Sequence, residues 1–393
     1  MISDETLLWG TEKSCIRALY EYGLRRKAEL GEDKVFDFSL GNPSVPAPVQ
    51  VKEAILRALD DPTVHGYTVA AGRITLREKI AAELNARCGS ALGPEDIYVT
   101  CGAAAALASA MKGLTKPGDE VVALAPYFPE YAVFARGAGA RFVSCPLRRL
   151  DLQFDPAALD GVLIEKTAVV LVNSPNNPSG AVLNRESLSA LADCLNQAED
   201  RFGHPIYLVS DEPYRELVYD GATAESPLSY YDDTVVCYSW SKSLSLPGER
   251  IGYFAVSDRA AGRREVYASM AGAARSYGYV NPPSLMQRVA EDCVGLAPDL
   301  EAYRANRAAL CAVLDAAGFS YIRPDGAFYL FIRSPEPDAK RFCDRARARG
   351  LLLVPSDDFG VGGFVRAAYC VTPELIERAG PAFATLAAEY GLK

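Results

Sequence analysis

Between residues 96 and 256, short apolar runs alternate with longer stretches in which apolar positions return every three or four residues. The runs at 96–100, 120–125, 141–145, 168–173, 206–210, 234–238 and 251–256 include several that are nearly continuous in Val, Leu, Ile and Ala. That is the composition of strands buried on both faces of a mostly parallel sheet. Helical spacing occupies 104–112, 131–137, 185–198 and 258–274. The alternation predicts an α/β fold with a mostly parallel seven-stranded sheet and helices on both sides. In such a sheet, functional groups collect beyond the C-terminal ends of the strands. The regularity stops near residue 284, where helical patterns at 284–296 and 299–317 give way to short β-type runs at 328–332 and 364–370. We expect a large domain over 48–283 and a smaller α+β domain from both termini, residues 1–47 and 284–393.

Length agrees with two domains, since 393 residues exceed what one core usually organises. A hydrophobic fraction of 49% and a charged fraction of 23% are those of an ordinary globular protein. The net charge of −9 argues against a nucleic-acid or anionic-membrane surface, so any phosphate site must be local. The first residues lack a signal-peptide pattern, and no uninterrupted apolar run reaches the ~18 residues of a membrane span. Ten cysteines without a Cys-x-x-Cys pair read as reduced residues of a cytoplasmic protein. Only two histidines, His65 and His204, exclude a multi-histidine metal site, and no metal is expected.

The most informative stretch is Ser239-Trp240-Ser241-Lys242-Ser243, between two apolar runs and continuing through Arg250 to Gly252. An unpaired lysine is costly to bury there, but a desolvated lysine can lose its proton and form a Schiff base with a carbonyl. Arg250, eight residues on, offers a fork of donors for a phosphate. A lysine beside a phosphate-binding arginine is what pyridoxal phosphate requires, the alternative being a solvated lysine in a Ser-rich turn.

Four further segments follow expected strands. Gly102, Ala103 and Ala104 open a helix, where backbone N–H groups can approach an anion. Asn177 lies in a turn framed by prolines and a glycine, which would pin its amide. Asp211 closes an apolar run and precedes Tyr214. A carboxylate so placed needs a cation, such as a protonated pyridine nitrogen, unless it caps a helix. Phe128, among Tyr127 and Tyr131, offers a face for a planar cofactor or simply core packing. Arg366 sits inside an apolar β run, suited to a carboxylate of either a ligand or the protein.

In order along the chain, Gly41-Asn42-Pro43, Tyr67 with Gly72 and Leu76-Arg77, the run 100–107, the run 126–131, Asn177-Pro178-Ser179-Gly180, Asp211 to Tyr214, Ser239 to Gly252 and Arg366 resemble the class I/II aminotransferases of PLP fold type I. The resemblance implies a pyridoxal 5'-phosphate enzyme acting by a ping-pong mechanism on amino acids and 2-oxo acids. It implies Lys242 as the Schiff-base lysine and proton shuttle. Asp211 would pair with the ring nitrogen, Tyr214 and Asn177 would hold the phenolic oxygen, and Phe128 would stack. Ser239, Arg250 and the backbone of Gly102, Ala103 and Ala104 would bind the phosphate, though many relatives carry a hydroxyl or lysine where this chain has Ala103-Ala104-Ala105. Arg366 and the Gly41 backbone would hold the substrate carboxylate, with Asn177 also facing the substrate. Tyr67 would reach the neighbouring subunit's phosphate in a homodimer.

The motif wording is similar to bacterial aspartate-aminotransferase-like proteins, which implies aspartate or a similar amino acid as donor and 2-oxoglutarate as acceptor. The segment Lys13-Ser14-Cys15-Ile16-Arg17, ahead of an expected helix at 18–27, could cover the site and offer a second cation, or simply hold helix-end charges. The alternative is a PLP-dependent C–S β-lyase of the same fold. A regulatory protein with an added DNA-binding module fits neither the acidic charge nor a pattern that begins by Gly41.

Overall fold

The computed structural model describes residues 2–11 and 15–392, so Lys13 lies outside the described residues. A two-residue strand, β1 (Phe36–Asp37), precedes the large sheet. That sheet comprises β2 (Ile97–Thr100), β3 (Glu120–Ala125), β4 (Arg141–Pro146), β5 (Thr167–Asn173), β6 (Tyr207–Asp211), β7 (Thr234–Ser239) and β8 (Gly252–Val256). Its order is β2-β8-β7-β6-β5-β3-β4, parallel except for β8, which runs antiparallel to both neighbours. The expected strands match these bounds to within one residue at either end.

Successive side chains of the central strands enter different cores, which explains why they read as continuous apolar runs. Val121 of β3, Val169 and Leu171 of β5 and Val209 of β6 pack with Met111 and Met270 from the helices Ala103–Leu114 and Arg263–Ser276. Val122, Val170, Val172 and Leu208 pack instead with Leu188, Leu191 and Leu195 of the helix Arg185–Phe202. The helix expected from 258 begins only at Arg263. Before it, Ala261 N–H bonds to Asp233 Oδ1 at 2.7 Å and Arg259 N–H to Ser257 Oγ at 3.2 Å, holding a turn. The helices Val49–Leu59, Ile74–Cys88, Ala339–Ala348 and Pro373–Glu389 complete the layers without a counterpart in the pattern read above.

A second sheet holds β9 (Tyr321–Ile322), β10 (Tyr329–Arg333), β12 (Val354–Pro355) and β13 (Phe364–Ala368) in the antiparallel order β12-β13-β10-β9. Strand β11 (Leu351–Leu352) pairs in parallel with β1, joining the N-terminal segment to the C-terminal region. The helix Ser284–Cys293 buries Met286, Val289, Ala290 and Cys293 in a core shared with Val99 and Tyr253 of the large sheet. Its packing therefore lies on the large-sheet side of the expected boundary at 284. Among the described residues, no helix is long and apolar enough to cross a membrane.

Candidate active site

A cavity of about 270 Å³ opens where β2, β3, β5, β6 and β7 end, against the second sheet. Strand β7 closes on Ser239 and passes into the short helix Trp240–Ser243, which delivers Lys242 to the cavity. The amine donates to the Gly41 carbonyl at 2.6 Å, and burial pushes it down from its ordinary 10.5 to about 8. Near neutrality the folded protein thus holds a lysine much closer to losing its proton than a solvated one. Gly41 is required by close approach, because a Cβ there would overlap the Tyr329 hydroxyl.

Asp211 ends β6 and is followed by a turn, not by a helix that it would cap. Its Oδ2 accepts from the Tyr131 hydroxyl at 2.5 Å, while Oδ1 is buried without a partner. Burial pushes this carboxyl up to about 7, against the lowering effect of the Tyr131 hydrogen bond. A cation placed at Oδ1 would restore the ionised form. Ser210, one residue before, bonds to Glu212 Oε1 at 2.8 Å, and Ser226 reaches the same oxygen, so the strand end is held from behind.

The helix Ala103–Leu114 starts at Gly102 with no side-chain cap, so its first N–H groups point outward unclaimed by a side chain. Arg250 lies beside it in a left-handed conformation (φ 53°), donating to the Pro247 carbonyl at 2.9 Å and the Cys101 carbonyl at 3.3 Å. Gly102 has φ 84°, and a Cβ there would come within 2.8 Å of Arg250 Nη2. The Ser239 hydroxyl makes no capping bond and faces the same end of the cavity. These groups form a cationic, donor-rich cradle for an anion.

Arg366 lies on β13, fully buried, at the opposite wall. Its Nη1 donates to Asn177 Oδ1 at 3.0 Å and its Nη2 to the Ser39 carbonyl, while Nε has no partner. Tyr329 and Phe359 flank the guanidinium, with ring centres 4.8 and 5.2 Å away. Among the described residues no carboxylate pairs with Arg366, which leaves the carboxylate to a ligand. Asn177 is itself fixed by its N–H to Asn173 Oδ1 at 2.7 Å, and Asn173 Nδ2 bonds to the Asp211 carbonyl at 2.8 Å. The Tyr214 and Tyr329 hydroxyls share a hydrogen bond of 2.9 Å.

The cavity thus gathers Lys242, Asp211, Tyr214, Asn177, Arg250 and Arg366, together with Gly41, Ala103, Ala104, Phe128 and Ser239. Gly102 packs against Arg250 just outside its lining. Tyr67 lies away from it and is 98% exposed. Ile16 lines the cavity, in keeping with the expectation that its segment covers the site, and Ser241 and Leu107 fall in runs read as site motifs without roles of their own, whereas Tyr329 and the Tyr131 bond to Asp211 were missed. Tyrosines inside apolar segments were the available signal, since a buried phenol needs a polar partner.

Comparison with known proteins decides the family. The model of "Aminotransferase class I and II" matches residues 33–382. The chain belongs to this family. It is 33% identical over 355 residues to an aspartate/prephenate aminotransferase of Thermus thermophilus, covering 88% of this chain and 89% of that one. It is 30% identical over 383 residues to an arginine–pyruvate transaminase of Pseudomonas aeruginosa, covering 94% and 93%. The crystal structure of an amino transferase from Eubacterium rectale superposes with a TM-score of 0.97 at 44% identity, over 99% of both chains. The fold is PLP fold type I, and the activity is amino-group transfer; the C–S lyase alternative is not favoured.

Aminotransferases of this kind use pyridoxal phosphate. The residues present fit it. The bare Asp211 Oδ1 suits a ring N–H, the Gly102–Arg250 cradle suits the phosphate, and the desolvated Lys242 amine suits the aldehyde.

Proposed function

We propose that the chain moves an amino group from an L-amino acid to a 2-oxo acid at this cavity, with Lys242 as the reacting amine. The observation that carries the reading is the Lys242 amine, brought down to about 8, in one cavity with two buried unpartnered atoms, Asp211 Oδ1 and Arg366 Nε. When bound, pyridoxal phosphate supplies the electron sink for the pair left at Cα on loss of its proton. Asp211 holds the ring nitrogen protonated through Oδ1, which maintains that sink. Asn177 and Tyr214 hold the phenolic oxygen; Asn177 Oδ1 is engaged by Arg366, so its Nδ2 is the donor. Phe128 would stack on the ring, and Ser239, Arg250 and the N–H groups of Gly102, Ala103 and Ala104 would bind the phosphate. Arg366, with the Gly41 backbone, would orient the substrate α-carboxylate, and the Lys242 amine would take the proton from Cα.

The assembly we propose is a homodimer, with Tyr67 reaching the other subunit's phosphate. Its 98% exposure in the single chain supports a role outside its own subunit. We place the enzyme in the cytoplasm and divide it into a small domain from both ends and a large one between. The pairing of β1 with β11 supports the first boundary near 48, and the core that Ser284–Cys293 shares with the large sheet favours a second boundary somewhat beyond 284. Aspartate, named for several relatives, enters as a candidate donor and 2-oxoglutarate as a candidate acceptor.

Borohydride reduction of the coenzyme-loaded protein, followed by peptide mass spectrometry, should leave the coenzyme on Lys242. Label confined to another lysine, or turnover by Lys242→Ala, overturns the reading.

A further inference from the structure

Lys242 rides on a single helical turn, Trp240–Ser243, too short to hold its own shape. Its direction must therefore come from what the turn packs against. One anchor is Trp240, whose ring centre lies 5.4 Å from that of Tyr238 and 5.7 Å from that of Tyr253. The other is Ser243, whose Oγ lies 2.9 Å from the Tyr238 hydroxyl. That hydroxyl donates its single proton to Glu216 Oε1 at 3.0 Å, because a carboxylate oxygen only accepts. Ser243 is then the donor to Tyr238, and the bond has one direction.

Behind Tyr238 lies a buried charged cluster that the chemistry described above does not use. Arg215 is 5% exposed, with Nε donating to Glu216 Oε1 at 3.0 Å and Nη2 to Glu83 Oε2 at 2.8 Å. Its Nη1 lies 3.7 Å from Glu212 Oε2, and its guanidinium carbon stands 4.0 Å from the centre of the Tyr238 ring. Glu83 comes from the helix Ile74–Cys88, whereas Glu212 and Glu216 stand just after Asp211 and Tyr214 in the chain. Removing such charges from water is costly, and apolar residues of the same volume would stabilise as well. What the cluster adds over apolar packing is direction, since a planar fork shared among three carboxylates and stacked on a ring has one place to sit.

We propose that Arg215 and Tyr238 are positioning residues for Lys242: the guanidinium fixes the Tyr238 hydroxyl through Glu216, and that hydroxyl holds Ser243 and with it the turn that carries the amine. The inference rests on Lys242 as the reacting amine, as proposed above. None of Arg215, Glu216, Tyr238 and Ser243 lines the cavity, so each acts through the turn and not on the substrate.

The test uses Tyr238→Phe and Ser243→Ala, which remove one oxygen each from the same bond. Glu216 Oε1 keeps its Arg215 partner in the first, so no carboxylate is orphaned. The coenzyme-loaded protein is followed by its absorbance in the half-reaction with whichever of aspartate, arginine and leucine converts it fastest. Each variant should lower the limiting rate about tenfold and change half-saturation less than about twofold. The double variant should lose no more than either single one, because both break one contact. In the coenzyme-free protein, the midpoint of Lys242 methylation should rise from near 8 toward 10.5 as the amine loses burial. Cys370, Arg366, Arg250 and Asp211, whose charges act on the amine, are unaltered, so the rise reports its seating. Arg215→Lys, which keeps the charge and gives up the fork, should behave like Tyr238→Phe. An unchanged rate or midpoint in Tyr238→Phe, or losses that add in the double variant, overturns the inference while leaving Lys242 in its role. A wild-type rate and midpoint in Arg215→Lys removes the arginine from the chain of contacts. If no donor converts the wild type, the reading of the site fails, and the methylation midpoints of the coenzyme-free variants still decide the positioning.

Discussion

The Tyr131 hydroxyl donates to Asp211 Oδ2 at 2.5 Å and leaves Oδ1 as that carboxyl's only unpartnered oxygen. The bond fixes which oxygen faces the cavity and works against the burial that would keep the group protonated. Tyr131→Phe should raise the carboxyl's pKa further and weaken coenzyme binding about tenfold, a hydrogen bond to a charged group being worth ~1.5–3 kcal/mol. Equilibrium dialysis measures this, and unchanged affinity would show that Tyr131 only packs.

Asp211 also sets a pH dependence for the coenzyme-free protein. Its folded value of about 7 lies above the ordinary 3.8, so between these limits the folded chain keeps a proton that the unfolded chain releases. Stability from this group is complete below about 4 and is lost as pH rises through 7, with a loss on the order of a few kcal/mol. Denaturant titrations at pH 5 and pH 8 should show the drop in the wild type and a smaller one in Asp211→Asn. Parallel curves for the two proteins would contradict the assignment.

Lys242 titrates with the opposite consequence. With the folded amine at about 8 and the ordinary value at 10.5, the folded coenzyme-free chain sheds a proton early, and this group's contribution to stability rises with pH across that window. Reductive methylation of Lys242, read by mass spectrometry, should therefore show a midpoint near 8. A midpoint near that of surface lysines would mean that the amine is solvated.

Arg366→Lys removes the planar fork, leaving one compact charge among the aromatic rings. KM for the amino acid should rise about 100-fold with a smaller fall in kcat, as for loss of a bidentate carboxylate contact. Steady-state kinetics decides, and a fall in kcat at constant KM would argue against a carboxylate clamp.

Gly41→Ala brings a methyl group against the Tyr329 hydroxyl and displaces the carbonyl that holds Lys242. A destabilisation of about 1–3 kcal/mol is expected from overpacking. Adding Tyr329→Phe should recover part of it in thermal unfolding, because the overlapping atom is removed. No recovery would locate the strain elsewhere.

The large sheet was legible because both faces of each central strand are buried, so Val169 to Val172 read as one apolar run although they enter two cores. The start of the helix at Arg263 was not, because the turn before it is held by Asp233, distant in sequence. Lys242, Asp211, Asn177 and Arg366 could be named from local patterns, each being a polar group in an apolar or turn setting that invites a partner. Tyr329 reaches the cavity, and Tyr131 reaches Asp211 from behind it, through tertiary packing, and no local period marks that.

Residues 36–41 are stitched to the far end of the chain: Phe36 and Asp37 pair with Leu351 and Leu352, and Ala368 N–H bonds to the Phe38 carbonyl at 2.8 Å. The carbonyl that receives the Lys242 amine is thus held in place by strands from the other end of the chain. A nascent or truncated chain that already owns the lysine still lacks the strands that bring Gly41 and Arg366 to it. Loss of β11 or β13 would therefore dismantle the centre while leaving its lysine in the chain.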